Sequence, residues 1–248
     1  MSTQPLRIVQ LYPAEMNIYG DHGNAAVLAR RGGLYGFEVS LRPYEPGDDR
    51  AVLESADLLL GGGGQDSGQV PVAEDLRQVG SLLRDRAEAG VPMLMVCGMY
   101  QLFGHEFRTN EGAVLVGIGL FDAVTVGGPK RLIGNTVIDT EWGRVVGYEN
   151  HSGLTTLGAA QQPFGKVVTG AGNNGTDGAE GARTNAVIGT YLHGPVLPKN
   201  PALADALLLA AARLRYDLTE LQPVDPSGIA HLDTLAAQAR TVAAARPR

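Results

Sequence analysis

The chain has 248 residues, 44% of them hydrophobic, enough for a substantial core as one large α/β domain or a domain with a small appendage. Its 20 basic and 26 acidic side chains give a net charge of −6 with no basic tract, so nucleic acid is not an expected partner. No run approaches ~18 apolar residues and residues 1–5 lack the basic and apolar regions of a signal peptide, so a cytoplasmic protein is expected.

Residues 6–11 form an apolar first strand, followed by a long polar loop through residue 24. Asn24 is placed to cap a helix over 25–34, and the alternation at 37–41 predicts a second strand, completing a βαβ unit. A third strand, 58–60, runs straight into Gly61, Gly62, Gly63 and Gly64. Over 71–89, Val72, Leu76, Val79, Leu83 and Ala87 recur at helical spacing, with Gly90 as the stop. Residues 92–96 read as a buried strand that ends at Cys97-Gly98, before a segment able to wind into a helix. Strands, helices and glycine loops in this order imply an α/β fold: an open, mostly parallel sheet flanked by helices, whose site lies at the strands' C-terminal ends.

Beyond Gly104 the pattern changes to short strands at 114–126, 136–139, 145–148, 166–169 and 186–190, joined by glycine and asparagine turns. Helical periodicity returns after Asn200-Pro201, with Leu203, Leu207, Leu208, Ala211 and Leu214 on one side. A last helix follows Asp225-Pro226, with an apolar stripe through Ile229, Leu232, Leu235, Ala236, Ala239 and Val242 and a basic end at Arg240, Arg246 and Arg248. The expected division is a domain over 1–200 and C-terminal helices over 201–248, packed on that domain or on a partner.

Cys97 is the single cysteine, which excludes an internal disulfide and a thiolate metal cluster. A lone cysteine is ordinarily a small buried hydrophobe. On a turn between strand and helix, however, a thiol sits near free N–H groups that favour thiolate, and Gly98 offers one of them to an oxyanion. A nucleophilic cysteine needs a base, and the candidates are His22, His105, His151, His193 and His231. His193 stands out because the apolar run from Ala186 stops there at a Gly-Pro turn, placing its imidazole at a strand end as well.

The segments Val96-Cys97-Gly98-Met99-Tyr100-Gln101-Leu102-Phe103-Gly104 and Tyr191-Leu192-His193-Gly194-Pro195 resemble the nucleophile and histidine motifs of class I glutamine amidotransferases, in the branch shared with cobyric acid synthases. Asn17-Ile18-Tyr19-Gly20-Asp21-His22-Gly23-Asn24, Gly147-Tyr148-Glu149-Asn150-His151 and Gly172-Asn173-Asn174 are similar to the branch's GatD-type glutaminase subunits, and the resemblance runs from about residue 12 to 201. It implies a flavodoxin-like architecture and hydrolysis of L-glutamine through a thioester on Cys97, with His193 moving the protons. It also implies an oxyanion hole from Gly98 and Gly63, a substrate carboxylate held by Arg131, and a pocket lined by Gln101.

Such subunits pass ammonia to a MurT-like Mur ligase in a heterodimer that amidates the D-glutamate α-carboxyl of lipid II, reaching the inner membrane face only through the complex. ATP and magnesium are then expected on the partner, and no cofactor in this chain. Three features depart from the family pattern. Met95 and Met99 stand where the cobyric branch commonly has glycine, which should crowd the site. Position 195, where classical members have an acid, is proline. The site is therefore a Cys/His dyad or takes its third member from elsewhere, with Asp21 and Glu149 as candidates. The competing readings are a cysteine hydrolase of another amide, of γ-glutamyl hydrolase or peptidase type, and a binding subunit without catalysis.

Overall fold

A computed structural model describes residues 4–246; part of the stretch read for a signal peptide (residues 1–3) and Arg248 lie outside the described residues. The first part of the chain runs β1 (Gln4–Leu11), α1 (His22–Leu34), β2 (Phe37–Tyr44), α2 (Ala51–Glu54), β3 (Leu58–Gly61), α3 (Asp66–Glu88), β4 (Met93–Val96) and α4 (Gly98–Phe103). Then come β5 (Glu106–Arg108), β6 (Val114–Val116), β7 (Ala123–Thr140), β8 (Gly143–Leu157), β9 (Gly165–Thr169), β10 (Ala179–Glu180), β11 (Ala182–Thr184) and β12 (Val187–Thr190), followed by α5 (Pro201–Tyr216) and α6 (Pro226–Ala245).

The first sheet has the order β11-β12-β4-β3-β1-β2, parallel except for β11 at its edge. β3 and β4 are Leu-Leu-Leu-Gly and Met-Leu-Met-Val, buried at every position, as central strands covered on both faces must be. The α3 stripe Val72, Leu76, Val79, Leu83 and Ala87 is buried in the core, and Gly90 takes a positive φ of 87° just past the helix. Two expected helix starts shift. Asp21, not Asn24, is the N-cap residue of α1, and the Asn24 side chain instead accepts the Leu197 N–H at 2.9 Å. α3 begins at Asp66, so Pro71 lies inside it rather than at its start.

Beyond α4 the short strands expected from the sequence are replaced in part by two long ones. β7 and β8, 18 and 15 residues long, form an antiparallel hairpin whose register shifts between Gly127 and Leu132. Gly127, Gly128, Pro129, Lys130 and Arg131 carry no alternation, which is why periodicity breaks there although the strand continues through a bulge. The second sheet has the order β10-β9-β7-β5-β6, with β8 also on β7. A two-residue bridge ties it to the first sheet: His193 N–H donates to Tyr148 O at 2.8 Å and Tyr148 N–H to His193 O at 3.2 Å.

α5 buries Leu203, Leu207, Leu208 and Ala211, whereas Leu214 is half exposed. α6 buries only Ala236 among its described residues, leaving Leu235 and Val242 about half exposed. The buried Arg31 on α1 holds both helices, pairing with Asp205 through Nε at 2.6 Å and with Asp233 through Nη1 at 2.7 Å. None of the described helices is long and apolar enough to cross a membrane.

Candidate active site

Three neighbouring strands deliver the site from their C-terminal ends: β3 supplies the glycine run, β4 supplies Cys97 and β12 leads to His193. Cys97 adopts φ 51° and ψ −104°, a conformation that costs a non-glycine residue on the order of 1–3 kcal/mol. Its backbone is fixed on both sides, because its N–H donates to Thr190 O at 2.8 Å and its carbonyl accepts Gln101 N–H at 2.9 Å. The result is an abrupt strand-to-helix turn. The side chain is almost buried but lines the cleft.

Gly63 fills the space between Cys97 and His193. A Cβ added there would lie 2.6 Å from His193 Cε1 and 3.1 Å from Cys97 Cβ, so both side chains close on one point of bare backbone. Burial alone disfavours the imidazolium of His193. The charge of Cys97 and the Asp21 and Cys97 hydrogen-bonding groups outweigh that cost and raise the His193 pKa to about 10. Asp21 Oδ2 lies 3.5 Å from His193 Nδ1, an ion-pair contact longer than a normal hydrogen bond, and Tyr19 covers the imidazole edge-on with ring centroids 4.6 Å apart.

Of the two candidate acids, Asp21 is thus the one set against His193. Glu149 is fully buried, and its carboxylate accepts the N–H groups of Ala171 and Gly172 at 2.9 Å.

The same Asp21 oxygen accepts Gly63 N–H at 2.8 Å, which corrects the expectation that Gly63 donates to an oxyanion: its N–H is already taken. The next glycine still has its N–H available. Gly64 lines the cleft beside Cys97, and neither its N–H nor that of Gly98 has a hydrogen-bond partner among the described residues. The expected crowding by Met95 and Met99 is absorbed by Gly61. A Cβ at Gly61 would meet Met99 Cγ at 2.7 Å and Met95 Sδ at 2.8 Å, so the missing side chain there is the room both methionines use. Pro195 packs against Gly23 in the same way, at 2.4 Å from its hypothetical Cβ.

The cleft in front of Cys97 has a volume of about 600 Å³. Gln101 forms part of its wall, donating to Tyr191 OH at 3.2 Å. Arg131, in the irregular stretch of β7, is held at the cleft by Asn150, whose Oδ1 and O accept from Nε at 2.9 Å and Nη2 at 3.0 Å. The cleft is also lined by Tyr19, from the motif at 17–24, by His151, one of the five candidate bases, and by Gln69, which no motif singled out. Gln69 lies just ahead of residue 71, where α3 was expected to start. It is buried beside Gly98, and its Oε1 has no partner.

Residues 7–201 match the CobB/CobQ-like glutamine amidotransferase domain family. The chain is 35% identical over 221 residues to the GatD subunit of a glutamine-hydrolysing lipid II isoglutaminyl synthase from Staphylococcus aureus, covering 89% of this chain and 90% of that one. It is 34% identical to the corresponding Streptococcus pneumoniae subunit, over 85% of this chain and 82% of that one. Among solved structures, a glutamine amidotransferase superposes with a TM-score of 0.58 at 16% identity, over 82% of this chain and 98% of that one, a likeness of fold.

Proposed function

The chain belongs to the CobB/CobQ-like glutamine amidotransferase family, and from that premise we propose that it is the glutaminase subunit of a lipid II isoglutaminyl synthase. The observation that carries the reading is the strained Cys97 turn closing on His193 across the bare backbone of Gly63, at the head of a cleft. Cys97 thiolate attacks the side-chain amide carbon of glutamine, forming the C–S bond and pushing the carbonyl electron pair onto oxygen. The Gly98 and Gly64 N–H groups stabilise that oxyanion. The His193 imidazolium gives its proton to the departing nitrogen, ammonia leaves, and a thioester remains. Water then adds, losing a proton to the now neutral His193, and the second tetrahedral intermediate collapses to glutamate and free thiolate.

Ammonia protonates in bulk water and ceases to be a nucleophile, so this chemistry is useful only with an enclosed route to an acceptor. The partner is a Mur-ligase-like subunit of MurT type, which carries ATP and magnesium and activates the D-glutamate α-carboxyl of the lipid II stem peptide. Lipid II brings the complex to the inner membrane face, while this chain itself stays cytoplasmic. The deciding assay is glutamate release from L-glutamine by the full chain, alone and with the ligase subunit. No release in either case would sink the reading.

Arg131 pairs the substrate α-carboxylate through its guanidinium. Arg131→Ala should therefore raise KM for glutamine by about 10- to 100-fold, with a smaller change in kcat. A steady-state titration checks this, and an unchanged KM removes the role. Asp21 is a positioning residue for His193. Its charge favours the imidazolium, so Asp21→Asn should lower the His193 pKa from about 10. The basic limb of the kcat/KM profile, where the proton destined for ammonia is lost, then moves to lower pH. Asparagine keeps an oxygen for Gly63 N–H, so KM should hold. A profile identical to that of the parent chain would count against it.

A further inference from the structure

His151, one of the five histidines weighed as a base, lines the cleft but is left unused by the glutaminase mechanism. Its ring is 1% exposed and stacks on Tyr191 with centroids 3.6 Å apart and planes within 5° of parallel. Nδ1 lies 2.7 Å from Gly153 O, a carbonyl that can only accept, so Nδ1 carries the hydrogen and Nε2 of the neutral ring is an acceptor. Nε2 is buried and has no hydrogen-bond partner among the described residues, and His151 is one of the residues that line the cleft holding Cys97 and Arg131. A buried acceptor without a donor is costly, and at the wall of a binding cleft the ligand is the natural source of that donor.

We propose that His151 Nε2 accepts a hydrogen bond from the α-ammonium group of bound glutamine. The inference rests on the glutaminase reading above. Cys97 and the glycine N–H groups fix the carboxamide end of the substrate, with its nitrogen toward His193. The far end of the molecule carries a carboxylate and an ammonium on one carbon, and needs a cation and an acceptor side by side. Arg131 and His151 are placed to meet that need, because both line the cleft and the Arg131 charge is close enough to act on the His151 ring.

The ring is suited to stay neutral in this setting. Burial, together with the nearby His193 and Arg131 charges, outweighs the Gly153 hydrogen bond and the Glu149 charge and pushes the His151 pKa down to about 4. A protonated ring would repel the ammonium. Among the described lining residues the carboxylate is Glu111, which sits on the exposed turn between β5 and β6.

The test is calorimetric titration of the full chain carrying Cys97→Ser, which prevents turnover, with L-glutamine and with glutaramate, its analogue lacking the α-amino group. Adding His151→Phe keeps an aromatic ring against Tyr191 but removes the acceptor. Glutamine binding should weaken roughly 10- to 100-fold while glutaramate binding stays within about twofold. In the Cys97→Ser chain labelled with ¹⁵N-histidine, the His151 Nε2 resonance should shift on adding glutamine and not on adding glutaramate, a readout independent of whether the double variant folds well.

Equal weakening of both ligands, or an Nε2 shift common to both, overturns the assignment. So does loss of the preference for glutamine in Glu111→Gln instead of in His151→Phe. Failure of the Cys97→Ser chain to bind either ligand would instead strike the glutamine reading itself, and this inference with it.

Discussion

Cys97→Ser should reduce glutamate release by about 10⁴-fold or more while leaving glutamine binding intact. Serine fits the same turn, so the backbone geometry at φ 51° and the neighbouring N–H groups survive. What disappears is the charge facing the imidazole. The Cys97 charge is the foremost contribution raising the His193 pKa against burial, so the variant should also show a His193 that titrates below about 10. A single-turnover assay with the ligase subunit present, together with an NMR titration of the ring, measures both. Residual activity near that of the parent chain would mean that the thiol is not the nucleophile.

Gly63→Ala should cost about 10²- to 10³-fold in kcat, from a single methyl group that touches no substrate. The added carbon falls 2.6 Å from His193 Cε1 and 3.1 Å from Cys97 Cβ, and neither neighbour can give way easily. The imidazole is fully buried between Asp21 and Tyr19, and Cys97 is held by backbone bonds to Thr190 and Gln101. Something must shift, and overpacking of this kind costs about 1–3 kcal/mol of stability. The distinguishing result is a folded protein, by thermal melt and circular dichroism, whose glutaminase rate has collapsed. A variant with parental kcat would show that the cysteine and histidine tolerate displacement.

The parallel half of the fold was legible because its signals are local. Short continuous apolar runs at β3 and β4 read as strands covered on both faces because each gives way at once to glycine, at the 61–64 run and at Gly98. The pairing of Cys97 with His193 could be anticipated for the same reason, since strand ends in a parallel sheet converge on one edge.

The rest depended on contacts between distant segments. No periodicity announces that β7 continues through Gly127 to Arg131, because the bulge is stabilised by its partner strand and not by its own residues. Likewise, Gly63 and Gly64 look alike in sequence. They differ only because the Asp21 carboxylate reaches across and claims the first one's N–H. His151 stood only as one of five candidate bases, because its stacking on Tyr191 comes from a distant segment and leaves no trace in the local pattern.

The bridge between Tyr148 and His193 gives the two sheets a shared hinge pin. Two amide hydrogen bonds tie β8 to the very backbone unit that bears the proton-transferring ring. A displacement of a few tenths of an ångström there changes the reach between nitrogen and sulfur directly, with no relay of intervening side chains. The place of the ring is therefore set by the hairpin as much as by the strand that leads to it.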